Sequence, residues 1–178
     1  MLAVDLVIVC TALLIVILAV TGVYGLFVRV PFVPTPASVA RAMVDAARLR
    51  GDERVYDLGA GDGTILIQAK RAHPAIMATG VELVPTVWLL GRLKIWRSRL
   101  DVSFLRKNVM DIDVRDAGAI FLYLSPAMLA RLEPKFNAEL RPGTIVVSHA
   151  FTFPSRTPTD VVKLPGPVMQ RTLYRYVW

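Results

Sequence analysis

Cysteine is nearly absent from this chain. Cys10 is the single one in 178 residues, which excludes a disulfide framework and a thiolate metal site. Histidine is almost as rare, with only His73 and His149, and no His, Cys and carboxylate cluster has metal-ligand spacing, so no metal is expected. Acidic residues are the minority charge, 14 against 21 Lys and Arg, for a net charge of +7. Charge of either sign is missing altogether from Leu6 to Val28 (LVIVCTALLIVILAVTGVYGLFV). At about 1.5 Å per helical residue this run exceeds a hydrocarbon core of roughly 30 Å, and a core helix is rarely apolar on every face. No Lys or Arg precedes Arg29, so the basic leader of a cleaved signal peptide is missing too. Arg29, Arg41, Arg48 and Arg50 follow the run, and positive-inside bias then puts the rest of the chain in the cytoplasm. The sequence therefore predicts a single-pass membrane protein: a transmembrane anchor over 1–28, a linker over 29–35 and one domain over 36–178.

Within 36–178 there is neither an internal repeat nor a low-complexity tract. Apolar runs of strand length alternate instead with helical patterns. Thr35-Pro36 reads as an N-cap and first helical position, and Val39, Met43, Ala46 and Leu49 recur at helical spacing up to a stop at Gly51. Strands are predicted at Arg54–Leu58, Ile76–Leu83, Val102–Arg106, Ala117–Leu124 and Thr144–His149. Helices are predicted at Thr64–Ala72, at Thr86–Arg99, and from the Ser125-Pro126 cap onward with an interruption at Pro134. Two further strands, Asp160–Leu164 and Arg171–Val177, flank Pro165-Gly166-Pro167. Five strands alternating with helices give a parallel α/β sheet with right-handed crossovers, and the closing pair adds an antiparallel hairpin at its edge.

The densest information lies in Val55-Tyr56-Asp57-Leu58-Gly59-Ala60-Gly61-Asp62-Gly63. A strand ends on an acid, and three glycines at alternate positions then let the backbone turn sharply and a ligand approach it closely. A second acid closes the next apolar run in Gly80-Val81-Glu82-Leu83, where a βαβ unit delivers a carboxylate to a ribose diol. The order is not the G-x-G-x-x-G of dinucleotide folds. Asp57 ahead of the glycines would repel a pyrophosphate but suits a ligand carrying an ammonium and a sulfonium, which points to S-adenosylmethionine. The stretch resembles motif I of the class I methyltransferases, and Glu82 stands where that family binds ribose.

In open α/β sheets ligands bind beyond the carboxyl ends of the strands. The third strand leads to Lys107-Asn108-Val109, where Asn108 is placed to bond an adenine edge, the fourth to Tyr123-Leu124-Ser125-Pro126, and the fifth to Ser148-His149-Ala150-Phe151. The expected cofactor contacts are Pro34, Thr35, Asp57, Gly59, Gly61, Gly63, Glu82, Leu83, Asn108, Val109 and Tyr123. Ser125, His149 and Phe151 are the candidate substrate contacts, and no catalytic base is identifiable. The basic group Arg92, Lys94, Arg97, Arg99, Arg106 and Lys107 suits nucleic acid or anionic lipid headgroups; beside an anchor the bilayer is favoured and no nucleic-acid partner is expected.

The apolar run, Val33-Pro34-Thr35-Pro36, the glycine stretch, Gly80-Val81-Glu82-Leu83, Leu132-Glu133-Pro134-Lys135 and Ser148-His149-Ala150-Phe151-Thr152-Phe153-Pro154 together resemble one membrane-anchored lysine methyltransferase family. Its eukaryotic members modify the adenine nucleotide translocase and the ATP synthase c subunit. The resemblance implies a seven-stranded, Rossmann-like methyltransferase sheet, S-adenosylmethionine as cofactor, and a lysine of a membrane protein as acceptor. A methyltransferase of a lipid or hydrophobic small molecule, or a non-catalytic S-adenosylmethionine-binding module, are the alternatives.

Overall fold

In strand β1 (Arg54–Leu58) Val55 joins one apolar core while Tyr56 and Leu58 join another, because successive strand residues point to opposite faces. The same alternation divides Ala119 and Phe121 from Ile120 and Leu122 in β4 (Ala119–Leu122), and Val147 from Val146 in β5 (Ile145–His149). Each face must then be covered. Helices α1 (Ala37–Ala47) and α2 (Thr64–Ala72) cover the Val55 face with Val39, Met43, Val44, Ile65 and Leu66. Helix α4 (Pro126–Glu139) covers the other with Leu129, Leu132 and Phe136. The computed structural model describes residues 4–12, 15–16, 19, 33–165 and 172–178.

The sheet has seven strands in the order β3-β2-β1-β4-β5-β7-β6, with β2 (Met77–Val81), β3 (Val102–Leu105), β6 (Asp160–Lys163) and β7 (Thr172–Val177) completing it. Strands β1 to β5 run parallel, whereas β7 lies antiparallel between β5 and β6. From β1 the chain winds outward to β2 and β3, and then returns to lay β4 and β5 on the other side. The winding direction therefore reverses between β1 and β4, which opens a crevice beyond their carboxyl ends.

Three local expectations are corrected. Thr35 does not cap α1; Pro36 holds that position without a side-chain hydrogen bond. The helix stops at Arg48, in left-handed conformation with φ 52°, and Gly51 comes later in the turn with φ 110°. Pro134 does not interrupt α4, which runs through it from Pro126 to Glu139. The proline removes an N–H and crowds the preceding turn; burial of Leu129, Leu132 and Phe136 on both sides of it offsets that cost.

The expected span Leu6–Val28 falls largely outside the described residues. Among those described, no helix is long and apolar enough to cross a membrane. The single-pass, cytoplasm-facing placement is accordingly withdrawn.

Phe104 of β3 packs against two glycines whose role the sequence did not disclose, Gly80 of β2 and Gly91 of helix α3 (Pro85–Ser98). A Cβ on Gly80 would lie 2.5 Å from the Phe104 ring, and one on Gly91 would lie 2.6 Å from the same ring and 3.0 Å from the Gly61 carbonyl oxygen. Glycine inside a helix costs up to about 1 kcal/mol, so a packing reason is needed, and Phe104 supplies it. Gly91→Val is expected to destabilise the fold by about 1–3 kcal/mol through overpacking. A denaturant melt of the variant matching the parent would contradict this.

Candidate functional site

The crevice at the reversal point is a cavity of about 270 Å³, and each of the five parallel strands contributes to it from its carboxyl end. Gly59, Ala60, Gly61 and Asp62 follow β1; Glu82, Leu83 and Val84 follow β2. Asn108 and Val109 follow β3, Tyr123, Leu124 and Ser125 follow β4, and Phe151 follows β5. Val33 and Thr35 from the segment before α1, Thr64 and Ile65 of α2, and Met128 of α4 complete the wall.

The loop after β1 turns through glycines with positive φ, 80° at Gly59, 57° at Gly61 and 76° at Gly63. At Gly59 a side chain would also collide with Leu124, whose Cδ2 lies 2.6 Å from the Cβ position. The Glu82 carboxylate fastens this loop to the end of β2. The Gly61 N–H donates to Oε2 at 3.0 Å and the Val84 N–H to Oε1 at 2.8 Å. Burial pushes Glu82 above its usual carboxylate range, although these backbone donors pull the other way.

Asp57 is fully enclosed. Its residue is 1% exposed, and Oδ2 is buried with no hydrogen-bond partner among the described residues. Burial, and then the charges of Glu82 and Asp62, push its carboxyl well above the ordinary value. Asp62 behaves oppositely: burial would raise it, but hydrogen bonds from Lys94 and Thr64 prevail and hold it low. Lys94 of α3 donates to Asp62 at 2.6 Å, while the Asp62 carboxylate accepts from the Thr64 hydroxyl at 2.6 Å at the start of α2.

Of the expected cofactor contacts, Thr35, Gly59, Gly61, Glu82, Leu83, Asn108, Val109 and Tyr123 are brought together around the cavity. Pro34, Asp57 and Gly63 are not among the lining residues. Asp57 lies beneath the loop, and the Cβ position of Gly63 faces Ile95 of α3 at 3.0 Å, which makes it a helix-packing glycine. Asn108 accepts from the Met110 N–H at 3.0 Å through its side-chain oxygen, so its amide nitrogen keeps its donors. Among the substrate candidates Ser125 and Phe151 line the cavity, and Ser125 also caps α4 with a 3.4 Å bond from the Met128 N–H. His149 does not line it; the ring is buried and tilts against Tyr123 with centroids 4.3 Å apart. The sequence reading missed Val33, Ala60, Asp62, Thr64, Ile65, Val84, Leu124 and Met128. Ala60 and Asp62 lay in plain view inside the glycine stretch, whereas Val33 and Met128 reach the site only through tertiary packing. No group of three or more His, Cys, Asp or Glu able to hold a metal occurs among the described residues.

A family model for the ANTKMT methyltransferase domain matches residues 57–160. The chain is 35% identical over 151 residues to a protein-lysine N-methyltransferase of Saccharolobus islandicus (strain REY15A), covering 84% of this chain and 94% of that protein. It is 36% identical over 140 residues to the mouse adenine nucleotide translocase lysine N-methyltransferase, covering 75% of this chain but only 58% of the mouse protein. A solved structure named as an RNA methyltransferase from Salinibacter ruber, in complex with S-adenosyl-L-homocysteine, superposes with a TM-score of 0.75 at 34% identity over 82% of this chain and 93% of that one.

Proposed function

Since the chain belongs to the ANTKMT methyltransferase domain family and is an S-adenosylmethionine-dependent methyltransferase, we propose that it methylates the ε-amine of a lysine in a protein. The observation that carries this reading is the identity to the archaeal protein-lysine N-methyltransferase over nearly that protein's whole length. The name of the mouse relative supports a membrane protein as acceptor. We assign the catalytic domain to residues 36–178.

The residues present suit the cofactor. Asp57 carries a buried, unpartnered carboxylate oxygen, the kind of group that a cationic ligand relieves. Each Glu82 oxygen accepts one backbone N–H, which leaves lone pairs for a ribose diol. In this reading Glu82 holds the ribose, the backbone of Gly59 and Gly61 admits the ligand closely, Asn108 donates to the adenine edge, and Thr35, Leu83, Val109 and Tyr123 wall the site. S-adenosylmethionine, when bound, supplies the methyl group from its sulfonium.

The protein's own task is then alignment and desolvation. Methyl transfer to an amine is an in-line displacement, so holding donor and acceptor in register accounts for much of the rate. A lysine at its ordinary pKa of about 10.4 is protonated and has no lone pair to offer. Val33, Leu124, Met128 and Phe151 form an apolar wall that suits a lysine stem and favours the neutral amine by excluding water. The ionisable side chains lining the cavity are Asp62, Glu82 and Tyr123. Asp62 is committed to Lys94 and Glu82 to the loop, and burial raises the Tyr123 phenol, so desolvation rather than a dedicated base prepares the acceptor.

The test uses S-adenosylmethionine labelled in the methyl group, the purified protein, and an extract separated afterwards into protein, lipid and RNA. The expected result is label in protein, recovered as methyl-lysine after hydrolysis. Label confined to the lipid extract or to RNA would overturn the lysine acceptor while leaving the methyltransferase intact.

A further inference from the structure

Helix α3 turns two apolar faces outward from its axis. Val87, Gly91 and Ile95 pack inward, and the opposite side exposes Leu89 (63%), Leu93 (50%) and Trp96 (75%), with Leu90 (56%) beside them. At roughly 100° per residue, Leu89, Leu93 and Trp96 fall within about 60° of one another and point away from the sheet. Arg92 borders this stripe on one side and Arg97 on the other, and α3 holds no acidic residue. Large exposed side chains so grouped mark an interaction surface, since folding alone gives no reason to expose them. The helix is also joined to the site's rim. Val84, which precedes it, lines the cavity, and its Lys94 is bonded to Asp62, another lining residue.

We propose that this face of α3 is the docking surface for the protein substrate, and that it takes a segment carrying apolar side chains flanked by acidic ones. The inference rests on the protein-lysine reading above. Charge decides between occupants: the Arg92 and Arg97 borders complement acidic groups and repel a second copy of the same face. Trp and Arg are among the residue types that anchor protein interfaces. An anionic bilayer would satisfy the same charges, but the tie of α3 to the cavity rim through Val84 and the Lys94–Asp62 bond favours the chain that carries the acceptor lysine.

The experiment uses the full chain and a fluorescently labelled helical peptide of about 20 residues, with one lysine, leucines at i, i+3, i+4 and i+7, and glutamates beside them. A second peptide replaces the glutamates with glutamine. The acidic peptide is expected to bind about tenfold more tightly by anisotropy, as charge complementarity of this kind allows. Arg92→Glu combined with Arg97→Glu is expected to abolish that preference. Leu93→Ser combined with Trp96→Ala is expected to weaken both peptides, while S-adenosylmethionine affinity by calorimetry stays at the parental level. Equal binding by parent and variants, or no binding by the parent, would overturn the docking surface. It is also overturned if the variants lose only co-sedimentation with phosphatidylserine vesicles, or only self-association by sedimentation velocity, with peptide binding unchanged. A peptide that is bound but never methylated would support docking and sink the lysine acceptor instead, so the two readings fail separately.

Discussion

Glu82→Ala is expected to lower S-adenosylmethionine affinity by about 100- to 1,000-fold. The carboxylate is the assigned ribose acceptor, and hydrogen bonds to a charged group contribute roughly 1.5–3 kcal/mol each, with about 1.4 kcal/mol per factor of ten. It also fastens the loop, since the Gly61 and Val84 N–H groups both end on it. Alanine therefore removes a ligand contact and leaves two backbone donors short of an acceptor in a buried place. Calorimetry gives the affinity, and hydrogen exchange at residues 59–61 reports the loop. Glu82→Gln separates the roles, because its carbonyl oxygen still accepts one backbone N–H but the charge is gone. If Glu82→Ala binds the cofactor as the parent does, the ribose assignment is wrong.

Much of the sheet was legible because its cues are local. Arg54–Leu58 and Thr64–Ala72 were bounded correctly by β-branched and helical patterning between turn residues, and the other strands were placed within a few residues. The cavity's strand-end residues followed from that frame, since a parallel sheet collects its carboxyl ends on one edge. What was not legible is what depends on distant partners. Pro134 looked like a helix stop because the cue is local, whereas the burial that carries α4 through it is tertiary. Gly80 and Gly91 are unremarkable until the Phe104 ring is seen between them. His149 had a strand-end position in its favour, but strand alternation turned it behind Tyr123. The span Leu6–Val28 was argued from its length, its apolar character and its lack of charge, and among the described residues no helix is long and apolar enough to cross a membrane.

Asp57→Asn is expected to do two opposite things. At a pH where the enclosed carboxyl would ionise it should raise the stability of the ligand-free protein, because a neutral amide spares the fold a buried charge, and it should lower S-adenosylmethionine affinity by about 10- to 100-fold. The reason is the enclosed carboxylate whose Oδ2 meets no partner among the described residues. Its folded pKa is raised well above 3.8, first by burial and then by Glu82 and Asp62, so the ligand-free fold retains a proton that the unfolded chain has lost. Stability linked to that proton is fully present below pH 3.8 and drains away as pH rises through the raised folded value. Thermal melts of the parent are therefore expected to weaken over that window, and Asp57→Asn to flatten this contribution. A cationic ligand reverses the balance, because a positive charge in a low-dielectric site favours the ionised carboxylate. Cofactor affinity in the parent accordingly rises with pH across the same window, and calorimetry in buffers of different ionisation enthalpy registers a released proton. Should Asp57→Asn melt no higher than the parent and bind the cofactor equally well, the carboxylate is neither a cost to the empty fold nor a partner for the ligand's charge.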